Sequence, residues 1–531
     1  MERLREWWSY LIGKKEQNCY FPKSSVILFI IAFASISFIY DYHHILFKPP
    51  QSLHHWRQAD CLSLTQHYFE DDVPFLSPQM HNLGTSGNGK TMSDFPLIYY
   101  GIGKIWQLTQ RHYFIYRSLV LLLFVTALFC WYRFLEQELN DSLLPLFTSL
   151  LLFTSPTLVY YAANFLMDIP AFSMALMGFV LFMRYLRQNK TVFLVVSCGM
   201  YALGGLLKVS ALLSLLALLG GIPITLFLEK YTKKSLRKNV LVTAAMLSVL
   251  MVCGLWFLYS AHYNTQNNSG IFLVGILPIW ELSPFEIRQV FDAVGQHIKW
   301  DYFRTETQWV LIILWLVMLF NFNKIPTRLA AANMLMPLGM AGFSALFFQA
   351  LKDHDYYTVN LFIAVPVLIT SLVFLLKQLH PKWRHSWGIK ILCLAFLIHN
   401  VDFCRRRMES RYHPQGWQNK RYSEMLIHYS ELDGYLNQLG ISKNDRIISI
   451  SDNSINITLQ AMNRKGWTAY EPIKTDSLRF KQKIALGADY VIAEHRDCAP
   501  NAAWMKFIEK QVGLYHGIAV FKIKKQQKTT M

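Results

Sequence analysis

Eleven apolar runs recur along this chain, separated mostly by short polar or basic segments: 25–40, 112–132, 143–160, 168–186, 191–206, 209–228, 239–260, 308–322, 329–350, 358–376 and 387–403. A bilayer's hydrocarbon core is crossed by about 20 apolar residues. A segment inside it must satisfy its own backbone hydrogen bonds, so such runs become helices. The pattern predicts a mainly α membrane protein, a polytopic helical bundle of about 11–13 transmembrane helices. The runs 25–40, 191–206 and 308–322 sit at the short end. One of them re-entrant, or a missed pair, sets that range. The triplet Ala32-Phe33-Ala34 resembles a signal cleavage site but lies inside the first run, which reads as an uncleaved span.

The net charge is +18, although charged residues are only 16% of the chain. This excess does not point to nucleic acid, because the basic residues are placed in short loops between the runs. With the N-terminus inside, segments 1–24, 133–142, 184–190, 229–239, 323–328 and 377–390 are cytoplasmic and hold 20 Lys/Arg in 72 residues. The opposite segments 41–111, 161–168, 206–209, 262–307 and 351–357 hold 10 in 136. Lys and Arg are retained on the cytoplasmic side. The N-terminus is therefore expected in the cytoplasm, and an odd number of spans puts the C-terminal region outside. The group Lys230, Lys233, Lys234, Arg237 and Lys238 weighs most in this.

Two outer segments, 41–111 and 262–307, are too long for simple connectors. The tail from 404 is polar and alternates helix-like and strand-like stretches. Arg421–Leu439, Ile455–Asn463, Leu478–Leu486 and Ala502–Val512 are predicted helices. Arg446–Ser451, Trp467–Tyr470, Tyr490–Ala493 and Gly517–Ile523 are predicted strands. This order predicts a small soluble α/β domain. The expected division is 1–403, a transmembrane domain including the loop 41–111, and 404–531, an extracytoplasmic domain. The eight cysteines show no metal or redox spacing. Cys404 and Cys498 both fall outside the cytoplasm, where they are free to pair.

The residues able to carry chemistry gather in the outer segments. In His54-His55-Trp56-Arg57-Gln58-Ala59-Asp60, helical spacing puts Trp56, Arg57 and Asp60 on one face. An ion pair or a working carboxylate both fit. Glu70-Asp71-Asp72 suits a hard cation or a solvated helix end. Gly84–Thr91 (GTSGNGKT) matches the phosphate-loop pattern, which means a phosphate cradle only between a strand and a helix. Pro96 follows too soon for that helix, so the match reads as a glycine turn reached by chance. Leu97–Leu108 reads as an amphipathic helix lying in the interface. Asp168 stands at the head of the fourth run as an N-cap or a functional acid. Lys208 either binds an anion or reaches for the headgroups. Lys352-Asp353-His354-Asp355-Tyr356-Tyr357 fits a lipid phosphate or an interfacial belt.

Several of these stretches, in order, resemble the family 39 type of polyprenyl-phosphate-dependent glycosyltransferases with the GT-C fold. That group includes protein O-mannosyltransferases and the lipid A aminoarabinose transferase. The stretches are HHWRQAD at 54–60, SDFPLIYY at 93–100, SPTLVYYAANFLMDIPAF at 155–172, GGLLKVSALL at 204–213 and HDYYTVNLFIAVP at 354–366. The resemblance implies an enzyme moving a sugar from a polyprenyl phosphate to an acceptor on a lipid, glycan or protein at the outer face. It implies an acid of the first loop as base, with Asp60 first choice and His54 or His55 next. Histidines stand here where relatives carry Asp-Glu. Arg57, Asp94, Asp168, Lys208, His354, Tyr356 and Tyr357 are implied to bind substrate. Asp60, Asp94 and Asp168 are candidate ligands for a divalent cation, with no other cofactor implied. The expected partners are the lipid-linked donor, an acceptor of unstated identity and membrane lipids, without nucleic acid. The expected location is a bacterial inner membrane. The competing reading is a transporter or flippase of lipid-linked sugars, which would place charges near the bilayer midplane, often in repeated halves.

Overall fold

In a computed structural model, residues 23–228, 233–272, 275–296, 298–378 and 385–524 are described. The N-terminal basic segment up to residue 22, Cys19 and Lys230 lie outside these residues. Every one of the eleven apolar runs is helical. Among the described residues, seven helices are long and apolar enough to cross a bilayer, or nine if each of two bent pairs counts as one span. Two shorter apolar helices, Ser24–Ile39 and Thr191–Leu207, account for the other two runs. The expected count of 11–13 is therefore met in segments but not in full-length spans. The sharpest consequence is at 143–162. There the helices Leu143–Thr154 and Pro156–Ala162 meet at 80°. Ser155 caps the second helix by accepting from the Leu158 amide, and Pro156 occupies its first turn. The bend carries Tyr160 and Tyr161 toward the first loop.

That loop is ordered around α1 (His55–Glu70) and α2 (Leu97–Thr109), which pack along each other. Residues Gln58 to Tyr68 of α1 are all buried although many are polar. Such a helix is stable only where its polar side chains find partners. Gln58 and Ser63 find them in the first loop, and Asp60 and Gln66 find them in Asn456 and Gln460 of the C-terminal domain. This domain is a five-stranded sheet in the order β2-β1-β3-β5-β4, with β1 (Arg446–Ser449), β2 (Gly466–Thr468), β3 (Ala488–Glu494), β4 (Ile508–Tyr515) and β5 (Ile518–Ile523). β1 pairs in parallel with β2 and β3, and β5 pairs antiparallel with β3 and β4. Successive strand residues supply opposite faces. Ile448, Val491 and Phe521 enter one core with Trp467, Phe480 and Trp504. Ile447, Ile492 and Val520 enter the other, under Tyr429, Leu432 and Leu436 of the helix Ile427–Gln438.

The tail thus has the expected α/β character, with one correction. Ala502–Val512 is not a helix. A single 3-10 turn, Met505–Phe507, leads into β4. The run I-E-K-Q-V there has helix-forming residues, but β5 offers it an antiparallel edge, and pairing overrides propensity. The helix Trp387–Tyr412 also runs unbroken past residue 403. Cys404 is buried beside Tyr40 while Cys498 sits in the sheet domain. Both thiols are free, so the pairing that was open to them is not made.

The loop and the sheet domain share their cores. Leu83 of the loop joins the core of the sheet, and Ile455 of the sheet domain joins the core of the helical bundle. The GTSGNGKT turn is part of this joint. Gln79 and Lys90 form a β-bridge at its base, and its Gly84 carbonyl accepts the Trp467 indole N–H at 2.8 Å. No helix follows until Leu97, so the turn lacks the strand-to-helix setting of a phosphate loop.

Candidate functional site

α1 begins under strain. His54 precedes it with φ +50°, a left-handed conformation that costs a non-glycine residue about 1–2 kcal/mol. The side chain is held by residues distant in sequence. His54 Nε2 lies 2.9 Å from Asp355 Oδ1, and the Tyr161 hydroxyl donates to the same oxygen. Tyr356 meets the His54 ring edge-on at 5.0 Å. His354 stacks among Tyr356, Tyr357 and His54, and its Nδ1 is buried with no hydrogen-bond partner among the described residues. Burial, and then the neighbouring His54, press the His354 imidazole down to about 4, so it is neutral at pH 7.

One turn further on, Arg57 faces Asp60 at 3.9 Å, as helical spacing predicts. Trp56 departs from that face and meets Tyr470 of the sheet domain edge-on. Arg57 makes its closest contact with Asp94, at 2.5 Å. Lys208 reaches the other oxygen of Asp94 at 3.0 Å, and Tyr99 donates to that carboxylate at 2.8 Å. One carboxylate therefore clamps two cations brought from the first loop and from the break between two membrane helices. Burial alone would raise the Asp94 carboxyl, but Lys208 and then Arg57 outweigh it and hold it at about 2. Burial alone would lower the Lys208 ammonium; Asp168 and Asp94 reverse this and leave it above its ordinary value.

Asp60 is tuned the other way. It is 2% exposed, and burial pushes its carboxyl up to about 7 against the weaker pull of Arg57 and an amide donated by Asn456 at 3.3 Å. Asn456 belongs to the sheet domain, and nothing in the tail's sequence marked it. Asp168 opens the helix Asp168–Gln188 within the field of Lys208, and its Oδ2 is buried without a hydrogen-bond partner among the described residues, as is Asn164 Nδ2 nearby in sequence. Unpartnered buried polar atoms cost about 1–3 kcal/mol each and are the places a polar ligand satisfies.

Of the expected residues, Arg57, Asp60, Asp94, Asp168 and Lys208 form one charged group. His54, His354 and Tyr356 form an aromatic wall whose Tyr356 is within electrostatic reach of Arg57, Asp168 and Asp60, and Tyr357 stands within reach of Lys208. His55 is not part of this. Its ring meets Tyr422, its charged neighbour is Arg421, and burial holds it at about 3. Lys352 pairs with Gln289. Asp355, Tyr161, Tyr99 and Asn456 were not singled out from sequence. Asp355, Tyr99 and Tyr161 lay inside the quoted stretches HDYY, SDFPLIYY and SPTLVYYAANFLMDIPAF, whereas Asn456 carried no local signal. The three acids do not fit a divalent cation. Asp94 already holds two cations, and among the described residues Asp60, Asp94 and Asp168 do not bring three ligand atoms within 4.8 Å of one another.

The architecture, a polytopic helical bundle with a structured first loop and a small α/β domain, is of the GT-C type. Solved structures that share it include ArnT from Cupriavidus metallidurans in the apo state, with a TM-score of 0.59, 11% identity and coverage of 94% of this chain and 98% of that one. ArnT bound to undecaprenyl phosphate aligns at 0.57 with the same identity and coverage. The arabinofuranosyltransferase AftD from Mycobacteria aligns at 0.50 and 11% identity, over 94% of this chain and 40% of that one. The sequence matches no family profile and no curated protein. At 11% identity the likeness is one of fold.

Proposed function

We propose that this chain is an integral membrane glycosyltransferase that moves a sugar from a polyprenyl phosphate to an acceptor hydroxyl at the outer face. The observation that carries this is the clamp of Arg57 and Lys208 on Asp94 beside the buried carboxyl of Asp60. The donor is a phosphodiester with one negative charge. When the bond from the anomeric carbon to the phosphate oxygen breaks, the departing lipid phosphate gains a second charge. Two cations fixed in a water-poor site stabilise that developing charge more than the ground state. Asp60 takes the proton as the acceptor oxygen forms the new glycosidic bond, and a carboxyl titrating near 7 suits both uptake and release. His54, Tyr356 and His354 form the wall against which a sugar ring is oriented.

Two further points support this reading. The fold is shared with a protein whose structure was solved with undecaprenyl phosphate. The first loop, Lys208 and the sheet domain lie on one side of the bundle, which the Lys/Arg bias assigns as the outer one. On that assignment the N-terminus is cytoplasmic and the membrane of a bacterium is the inner one. A transporter would carry its acids near the bilayer midplane, whereas Asp168 begins a helix and Lys208 ends one.

The test is transfer of a labelled sugar from its polyprenyl phosphate by the purified protein into membrane extracts of lipids, glycans and proteins. Transfer that is lost in Asp60→Asn and Lys208→Ala supports the reading. No transfer by the wild type to any acceptor overturns it.

A further inference from the structure

Two histidines and a glutamate meet at the edge of the sheet. β4 is its edge strand, and Tyr515 of β4 pairs with Ile518 of β5, so the hairpin turns on His516 and Gly517 alone. Such a two-residue turn favours a positive φ at both positions, with asparagine, aspartate or glycine usual at the first. His516 adopts it at φ +44°, a conformation its β-carbon resists, and Gly517 follows at +79°. The His516 ring then stacks on the His428 ring, with centroids 4.4 Å apart and planes within 2°.

His428 and Glu431 lie three positions apart on the helix Ile427–Gln438 and share a face. His428 Nδ1 is 3.1 Å from Glu431 Oε2, and the Tyr515 hydroxyl donates to the same oxygen at 3.3 Å. Among the described residues no lysine or arginine pairs with Glu431, so no permanent cation compensates this carboxylate. A His–Glu pair accounts for His428. It does not account for His516, which reaches the pair from a strained turn that asparagine would serve better.

The ligand atoms of the three side chains lie within 4.8 Å of one another, and Glu431 and His516 are exposed. Ligands about 2.0–2.2 Å from a tetrahedral ion stand about 3.3 Å apart. The widest gap therefore closes by at most about 1.5 Å, within reach of a ring rotation at the exposed hairpin tip. Imidazole suits zinc, copper and nickel, whereas calcium and magnesium take oxygen ligands. The Tyr515 bond orients the carboxylate from behind, as partners of metal ligands do. Asp41, His43 and His44 are the other such group among the described residues, but they come from one short stretch of chain, so local geometry alone brings them together.

We infer that His428, Glu431 and His516 bind a divalent transition-metal ion of the zinc class, with a further position open to water. The ion ties the tip of the β4–β5 hairpin to the helix that covers the sheet. The inference does not rest on the proposed transfer, because none of the three side chains belongs to the charged group.

The experiment titrates zinc chloride into the untagged full-length protein in detergent and reads binding by calorimetry. The parent protein carries His43→Ala and His44→Ala, which remove the other group. Copper(II) in place of zinc counts the bound imidazole nitrogens by electron paramagnetic resonance. One saturable zinc site, with two nitrogens on copper, is expected. His516→Asn keeps the turn, because Asn-Gly is a preferred pair there. It should weaken zinc binding at least tenfold and leave one nitrogen. Glu431→Gln, on the other element, should weaken binding at least tenfold with both nitrogens kept. Zinc should raise the unfolding temperature of the parent and leave that of His516→Asn unchanged, since a ligand that binds only the folded state stabilises it. Absence of saturable zinc binding by the parent overturns the inference, as does binding unchanged in both His516→Asn and Glu431→Gln.

Discussion

Asn456 of the sheet domain donates its side-chain amide to Asp60 of the first loop across 3.3 Å, while its own Oδ1 accepts the Asn82 backbone N–H at 2.8 Å. The second bond fixes which end of the amide faces the acid. The soluble domain is thereby built into the electrostatics of Asp60. Hydrogen bonds to a charged group contribute about 1.5–3 kcal/mol, and a long one contributes at the low end. Asn456→Leu is expected to shift the acid limb of the pH–rate profile upward by about one unit, since one unit is about 1.4 kcal/mol. Asn456→Gln, which keeps an amide, should recover part of that shift. A purely structural role for Asn456 would change the rate without moving the limb.

Asp60 itself should show opposite effects on activity and stability. Transfer needs the carboxylate, so the rate should fall about tenfold per unit as pH drops below about 7. Stability runs the other way. A carboxyl raised from 3.8 to about 7 by burial disfavours the fold only where the unfolded acid is ionised, so the penalty starts near pH 4 and is complete above 7. Its size is on the order of 4 kcal/mol at about 1.4 per unit. Asp60→Asn should therefore abolish transfer yet unfold at a higher temperature than wild type at pH 8, with the difference gone at pH 4. Equal unfolding temperatures at both pH values would remove burial as the cause.

The clamp at Asp94 predicts a different signature. Asp94 stays ionised down to about pH 2, so its charge is constant across any working pH. Lys208→Ala removes a cation from the donor phosphate and should cut kcat/KM by about 10–100-fold, from roughly 1.5–3 kcal/mol for a charge-assisted bond. Asp94→Asn keeps both cations but frees them to move, and should lower kcat more than it raises KM. Identical losses in both terms for the two variants would argue against separate holding and clamping roles.

Much of this was legible in the sequence because hydrophobic runs and local spacing are local facts. The eleven helical runs, the Arg57–Asp60 face and the α/β order of the tail all follow from periods of 3.6 and 2. The pairing of His54 with Asp355 across 301 residues is not local, nor is the amide of Asn456 on Asp60 across 396. The β4 strand was hidden for the same reason: its partner edge, and not its residues, decides its conformation. Lys208 was visible only as a charge in an apolar stretch, and its clamp on Asp94 needed the fold.

Orientation rests on charge counting and has its own test. Thr85 is exposed in the glycine turn that touches both the sheet domain and the Asn268 carbonyl. A thiol reagent that cannot cross the membrane should label Thr85→Cys in intact cells. Labelling only after lysis would place the first loop, and with it the charged group, in the cytoplasm.

The same turn separates a structural glycine loop from a phosphate cradle. Gly89 has φ +68°, and a Cβ there would lie 2.6 Å from the Met80 carbonyl oxygen, so both conformation and space exclude a side chain. Gly89→Ala should therefore destabilise the protein by about 1–3 kcal/mol, the usual cost of backbone held in a disfavoured region. The loss should show as a lower unfolding temperature of the joint between loop and sheet domain. In a phosphate cradle the lysine of the pattern is indispensable, because it reaches the terminal phosphates. Here that residue, Lys90, follows the turn and forms a β-bridge with Gln79. Lys90→Ala should therefore leave both stability and sugar transfer within about 0.5 kcal/mol of wild type, as surface changes usually do. ATP should neither bind the purified protein nor alter its transfer rate. A large loss of transfer in Lys90→Ala with retained folding would return the turn to the list of functional sites.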